Sequence, residues 1–154
     1  MAPTEKPSFI PERSDLFIKV PKPQALAAWA PFWECVEMNF LLQNSGLDDE
    51  HPEWRMHWVY GVTMLRTVGH VLDKVDGARS NLHRSAVSSF WRNWKSNRLQ
   101  HWIFWEFIEQ ERNNLLKTFN FGVELDEQGL WYPSLKMDGV QLLREATYWW
   151  RRQL

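Results

Sequence analysis

The chain has 154 residues, of which 44% are hydrophobic, so it can bury a substantial core in one domain without cross-links. Its single cysteine, Cys35, excludes an internal disulfide and a cysteine-based zinc site, and is interpreted as a small buried hydrophobic residue. The net charge of −1 hides an asymmetry: residues 1–76 carry 11 acidic and 7 basic residues, whereas residues 77–154 carry 8 acidic and 11 basic ones. Such a split indicates a basic surface for nucleic acid or for an acidic partner.

The amino-terminal segment, residues 1–23, contains five prolines, which favour an extended arm with a short strand at Leu16–Val20. Charges interrupt this segment throughout, so no secretory signal is predicted. No stretch of the chain approaches the roughly 18 apolar residues of a membrane span. The sequence therefore predicts a cytoplasmic protein with no membrane association.

The residues after the arm, 24–154, predict one helical domain. A first helix is expected from Gln24 to Gln43, with Pro31 kinking it or opening a second helix. Acidic residues and a proline over Asp49–Glu53 predict the start of a second helix, which an apolar series carries to Asp76.

Two further helices are expected from about Leu82 to Asn97 and from about Gln100 to Phe119. In the third helix, four residues spaced four apart are predicted to face the core: Leu82, Ala86, Phe90 and Trp94. The first half of the fourth helix is apolar over most of its surface, which is typical of the centre of a bundle or of a dimer interface.

A hairpin is predicted around Asp126–Gly129, followed by a last helix from about Asp138 to Arg152. The last helix is expected to turn its apolar face inward, a face formed by Leu142, Leu143, Ala146, Trp149 and Trp150. The predicted fold class is mainly α: a single-domain bundle of four to five helices, with the proline-rich arm in front and a short β-hairpin before the last helix.

Eleven tryptophans, most of them in pairs at helical spacing, predict a core built from large rings whose indole N–H groups need acceptors. Trp102 and Trp105 lie in the helix that is apolar nearly all round. They are the candidates for a homodimer interface or a ligand platform.

The fourth helix contains Arg112 followed by Asn113, then Lys117 and Phe119. This pattern resembles the signature of the HEPN superfamily, helical proteins of prokaryotic toxin–antitoxin and defence systems, whose motif is an arginine, four to six residues, and a histidine. Lys117 stands at the position of the histidine on which the family's ribonuclease activity depends. The resemblance therefore implies a protein that binds RNA or a partner protein, such as an antitoxin, through Arg112, Asn113 and Lys117, and that is non-catalytic or atypical in catalysis.

Arg112 is also informative because of the helix face on which it is expected to lie. At about 100° per residue, Arg112 shares a face with Phe104, Ile108, Leu115 and Phe119, which is expected to meet other helices. An arginine there needs a carboxylate partner within the bundle or an opening to a cleft, because an unpaired buried charge costs several kcal/mol. Both interpretations remain open from the sequence.

His70 is the candidate acid or base that Lys117 cannot supply. It lies three residues before Asp73 and four before Lys74, so a carboxylate could orient its imidazole. A further hypothesis is therefore a metal-independent ribonuclease with Arg112 and His70 as catalytic residues. The alternative for His70 and its neighbours is that they form the solvated face of an ordinary helix.

No acidic residue occurs between Gly77 and Trp105, and within this stretch Arg92, Lys95 and Arg98 add a wider predicted surface for phosphates. The alternative for these bases is a solvated stripe on an interaction module that dimerises through aromatic helix faces and has no role in binding nucleic acid. No metal-binding spacing, phosphate loop, dinucleotide turn or nucleophile elbow is present, so neither a metal nor a cofactor is predicted.

Overall fold

The computed structural model describes residues 26–44, 47 and 52–154. The predicted arm 1–23, its strand at Leu16–Val20 and the predicted start of the first helix at Gln24 lie outside the described residues. So does most of the predicted helix-start signal of Asp49–Glu53.

Within the described residues the chain is mainly helical, as the sequence predicts. The helices in the first part are α1 (Trp29–Asn44), α2 (Glu53–Lys74), a short 3₁₀ helix (Asp76–Ala78) and α3 (Asn81–Ser96). Pro31 falls in the first turn of α1, where a proline needs no hydrogen-bond donor, so α1 is one continuous helix from Trp29. The side chain of Ser80 accepts a hydrogen bond from the backbone N–H of His83 and thereby fixes the start of α3.

The second part begins with a π-helical segment that continues directly into an α-helix. The elements are the π-helix Ile103–Glu109, α4 (Gln110–Thr118), β1 (Glu124–Asp126), β2 (Gly129–Tyr132), β3 (Met137–Asp138) and α5 (Gly139–Gln153). The three strands form one antiparallel sheet in the order β1-β2-β3, in which Leu125 pairs with Leu130. The predicted hairpin is confirmed, and β3 adds a strand that the sequence analysis did not predict.

Large rings fill the centre of the bundle. Trp58, Trp94 and Trp150 are fully buried, and all the residues predicted to lie on the inner face of α5 are buried. The indole N–H of Trp150 donates to the carbonyl oxygen of Leu65 at 2.7 Å, which joins α5 to α2. Cys35 is buried in the same core, as predicted, and burial raises the pKa of its thiol far above the usual range.

The predicted inner face of α3 is wrong for three of its four residues. Leu82, Ala86 and Phe90 are exposed, and only Trp94 of that set is buried, together with Val87. A spacing of four residues drifts by about 40° per step around an α-helix, so the series turns away from the bundle everywhere except at its last member. We call Leu82, Ala86 and Phe90 the apolar flank.

Trp102 and Trp105 are half-buried. The indole N–H of Trp105 donates to the carbonyl oxygen of Trp94 at 3.0 Å, so the polar group of this ring already has a partner within the chain. Among the described residues, no helix combines the length and the apolar character needed to cross a membrane.

Candidate functional site

The helix that carries the family-like motif buries Glu111, whereas Arg112 is only half-buried. The expectation that Arg112 shares the core face is wrong in register: Phe104, Ile108 and Leu115 are buried, but Phe119 is 68% exposed. At about 100° per residue, Glu111 lies within about 40° of Phe104, Phe107 and Leu115, whereas Arg112 lies about 100° from Glu111. Glu111 is therefore at the centre of the buried face and Arg112 at its edge.

Glu111 is 0% exposed, and its carboxylate has partners from outside its own helix. Both carboxylate oxygens accept from the backbone N–H of Gly122, at 3.0 and 3.1 Å, and the hydroxyl of Tyr132 hydrogen bonds to the same group. Burial raises the pKa of Glu111 above its usual value, although the bonds from Gly122 and Tyr132 act in the opposite direction. Burial also raises the pKa of Tyr132, and the charge of Glu111 adds to that shift.

The three motif residues lie on the outer part of α4. The guanidinium of Arg112 donates to the side-chain oxygen of Asn113 at 3.0 Å, and Asn113 is also half-buried. Lys117 is exposed one turn further along. Within the described chain Arg112 makes no ion pair with a carboxylate, so its charge is available at the surface of the bundle.

His70 is exposed on α2, and the structure does not bring it to Arg112. Arg66 forms an ion pair with Glu109 at 2.8 Å, and the guanidinium of Arg55 lies 5.4 Å from the ring centre of Phe121, so α4 runs toward the amino-terminal end of α2. Along α2, His70 lies beyond Arg66 toward the carboxyl end of the helix. Arg112 lies beyond Glu109 in the opposite direction, toward Phe121 and the amino-terminal end of α2.

The acidic neighbours predicted for His70 have other partners. Asp73 accepts from Arg84 at 2.7 Å and contacts Lys74 at 3.1 Å, and the bond from Arg84 lowers the pKa of Asp73. The buried carboxylate of Asp76 accepts from the backbone N–H groups of Ala27 and Ala28, at 2.7 and 2.9 Å. Asp76 therefore caps the start of α1 and does not serve to orient a catalytic histidine.

Three bases lie in solvent on α3 and just after it: Arg92, Lys95 and Arg98, which we call the basic flank. None of them makes an ion pair with a carboxylate in the part of the chain that the structure describes. The guanidinium of Arg98 lies 4.2 Å from the ring centre of Trp105. At about 100° per residue, Arg92 and Lys95 are on the opposite side of α3 from the apolar flank.

A groove of about 430 Å³ lies between the first turns of α2 and the residues that follow α4. We call it the aromatic groove, and its lining residues are Arg55, Met56, Val59, Tyr60, Thr63, Phe119 and Phe121. A second groove of about 460 Å³ adjoins it across Arg55, Phe119 and Phe121 and extends to β1. Sequence reasoning missed both grooves because they depend on the turn from Phe119 to Gly122.

Phe119 has an unusual backbone for an aromatic residue. Its φ of 51° and ψ of 35° place it in the left-handed region, where it ends α4. The N–H groups of Phe119 and Asn120 donate to the carbonyl oxygens of Leu115 and Asn114, both at 3.2 Å. Glycine normally occupies this position, because a side chain there costs about 1–2 kcal/mol.

The remaining titratable groups do not assemble a metal centre. No group of three or more histidine, cysteine or acidic side chains suited to a metal occurs among the described residues. His101 is buried, and its Nδ1 accepts from the indole N–H of Trp149 at 3.1 Å. Burial, reinforced by the charge of Arg152, lowers the pKa of His101 and favours the neutral ring that accepts this bond.

Comparisons of the chain with protein-family profiles, with curated proteins and with solved structures found no match.

Proposed function

We propose that this chain binds single-stranded RNA through the basic flank of α3, as a HEPN-like protein of a prokaryotic toxin–antitoxin or defence system. The observation that carries the proposal is the availability of Arg92, Lys95 and Arg98, which are exposed and unpaired with any described carboxylate. Cations in this state are free to replace the counterions of a phosphate backbone, and binding of this kind weakens as salt rises.

A half-buried ring beside the basic flank favours a single strand over a duplex. This ring is Trp105, whose ring centre lies 4.2 Å from the guanidinium of Arg98. Unpaired bases can stack on such rings, which is worth about 1–3 kcal/mol per base, whereas the bases of a duplex are already stacked.

Arg112, Asn113 and Lys117 form a second proposed contact surface, on α4. Lys117 is exposed, and the hydrogen bond between Arg112 and Asn113 holds the guanidinium at the helix surface. The HEPN resemblance supports contacts to RNA or to an antitoxin here. Because Lys117 stands in place of the histidine and His70 is not brought to Arg112, binding without cleavage is the activity that we propose.

Fluorescence anisotropy with a short labelled single-stranded RNA tests the proposal, measured between about 50 and 200 mM salt. The variant Arg92→Gln/Lys95→Gln/Arg98→Gln should bind more weakly and should flatten the slope of log affinity against log salt by about 2, at about 0.7 per lost phosphate contact. The matched control is Lys74→Gln/Lys136→Gln/Arg152→Gln, which removes the same charge from exposed positions elsewhere. An equal loss in both variants, or affinity that does not fall with salt, rejects the proposal.

A second candidate function is an interaction module that forms a homodimer through aromatic and apolar helix faces. The apolar flank favours it, since Leu82 is 79% exposed and Phe90 and Ala86 are exposed beside it. Sedimentation equilibrium distinguishes this candidate. A dimer that dissociates in Leu82→Asn/Phe90→Asn supports it, and a monomer at all concentrations in the unaltered chain rejects it.

A further inference from the structure

The aromatic groove combines features of a ligand site that lies apart from the basic flank. Its volume of about 430 Å³ falls within the range of about 300–1,000 Å³ that is usual for small-molecule sites. Apolar side chains form most of its lining, and its polar groups are few: the guanidinium of Arg55 and the hydroxyls of Tyr60 and Thr63. A small number of polar groups in an apolar site serves to orient a ligand.

Phe119 stands at the rim in a conformation that is costly for it. The ring is 68% exposed, and it meets the ring of Phe121 edge to face at 5.3 Å. An exposed ring gains little from burial, so packing within the chain does not account for a phenylalanine where glycine is preferred. The backbone strain holds an aromatic surface at the mouth of the groove.

Arg55 is the charged residue in the lining of the aromatic groove. Its guanidinium lies 5.7 Å from the ring centre of Trp54 and 5.4 Å from that of Phe121, and it makes no ion pair with a described carboxylate. The hydroxyl of Tyr60 donates to Glu34 at 3.1 Å, so that carboxylate already has a partner. A guanidinium that rests on rings and pairs with no described carboxylate is suited to an anion next to a planar group.

The groove is also held in place from the core. Gly122 follows Phe121, and its N–H donates to the fully buried Glu111. A side chain at Gly122 has no room, because an added Cβ would collide with the carboxylate of Glu111 and the hydroxyl of Tyr132. Glu111 thus acts as a positioning residue for the turn that carries both phenylalanines.

We infer that the aromatic groove binds a small planar aromatic anion. The ring of the ligand lies against Phe119 and Phe121, and its carboxylate or phosphate pairs with the guanidinium of Arg55. An aromatic carboxylate and a mononucleotide share this chemistry. The site is separate from the basic flank of α3 and does not depend on it.

Isothermal titration calorimetry tests the inference with three probes: 1-naphthoate, its neutral counterpart 1-naphthamide, and adenosine 5′-monophosphate. We expect one molecule of 1-naphthoate to bind per chain, and 1-naphthamide to bind at least about tenfold more weakly, because it lacks the charge that pairs with Arg55. Competition by adenosine 5′-monophosphate assigns the site to nucleotides. Binding of 1-naphthoate without such competition assigns it to aromatic carboxylates.

Two variants locate the site on the chain. Arg55→Gln should weaken 1-naphthoate binding by about tenfold or more while leaving 1-naphthamide unchanged. Phe119→Gly removes the ring and also suits the left-handed backbone, so it should abolish binding without unfolding the protein. Matched controls are Lys136→Gln for the charge and Leu116→Ala for an exposed apolar side chain, and both should bind as the unaltered chain does.

Three results overturn the inference. One is no binding of 1-naphthoate to the folded chain, and another is equal affinity for the unaltered chain, Arg55→Gln and Phe119→Gly. The third comes from light scattering on the same samples. A fall in mass in Phe119→Gly, with probe binding unchanged, would assign the groove to contact between copies of the chain.

Discussion

Replacement of Glu111 by glutamine should remove a pH dependence of stability that originates in the core. Burial raises the pKa of Glu111 in the folded chain, so the folded state binds this proton more tightly than the unfolded state does. The stabilising contribution of the protonated group is fully present below the unfolded pKa of about 4.3 and is lost as pH rises through the folded value. The amide oxygen of glutamine can still accept from the N–H of Gly122 and from the hydroxyl of Tyr132, and the amide does not titrate.

The expected loss of stability in Glu111→Ala follows from the two hydrogen-bond donors that lose their acceptor. Glu111→Ala leaves the N–H of Gly122 and the hydroxyl of Tyr132 without this buried acceptor, at about 1–3 kcal/mol for each unsatisfied group. We therefore expect Glu111→Ala to lower the free energy of unfolding by about 3 kcal/mol or more. Glu111→Gln should cost far less, and its advantage over the unaltered chain should grow from acid toward neutral pH.

Urea unfolding followed by circular dichroism at several pH values between about 4 and 8 measures both effects. The unaltered chain and Glu111→Gln are compared at each pH, and the difference in their free energies of unfolding isolates the titration of this one group. Glu145→Gln is a useful second variant because burial raises the pKa of Glu145 as well. A difference between Glu111→Gln and the unaltered chain that stays constant with pH would falsify the assignment of a raised pKa to Glu111.

Four further predictions use the same unfolding assay or simple incubation. Phe119→Gly should be more stable than Phe119→Ala by about 0.5–1 kcal/mol. Glycine relieves a strain of about 1–2 kcal/mol at positive φ, but it loses part of that gain because its unfolded chain has more conformational entropy. If alanine is the more stable variant, the left-handed backbone assigned to position 119 is contradicted. Asp76→Ala should lower stability by about 2–4 kcal/mol because two backbone N–H groups at the start of α1 lose their acceptor, and a loss within about 0.5 kcal/mol contradicts the capping role. Leu82→Ala should change stability by less than about 0.5 kcal/mol, whereas Val87→Ala should cost about 1–3 kcal/mol; equal losses would mean that the two flanks of α3 are misassigned. Total RNA incubated with the purified chain should remain intact, and cleavage that disappears in Arg112→Ala would instead establish the ribonuclease hypothesis.

Periodicity predicted the helices, and in α5 it also predicted the buried face, whereas in α3 it did not. The inner face of α5 follows the α-helical period from Leu142 to Trp150, and its five predicted residues are all buried. Gly77 and Ser80 carry local signals that place the boundary between α2 and α3. In such elements local propensity and packing agree, so the sequence is sufficient.

Helical geometry places Glu111, rather than Arg112, at the centre of the buried face of α4. At about 100° per residue, Glu111 lies within about 40° of Phe107 and Leu115, whereas Arg112 lies about 100° away from Glu111. The spacing of four through Ile103, Phe107, Glu111 and Leu115 is visible in the sequence. An ionisable residue is rarely fully buried, and only the fold supplies the N–H of Gly122 that Glu111 needs, so the sequence alone does not identify Glu111 as a core residue.

The departures from regular geometry are concentrated in one stretch of chain, and they have a common result. Glu111 is fully buried and accepts from the N–H of Gly122, and the left-handed backbone at Phe119 places an exposed ring at the groove that Arg55 also lines. A sequence selected only for stability would place glycine at position 119 and an apolar residue at position 111, as the costs of both positions indicate. Strain retained next to a groove supports the inferred binding site, and it is this stretch, rather than the tryptophan core, where substitutions should separate binding from folding.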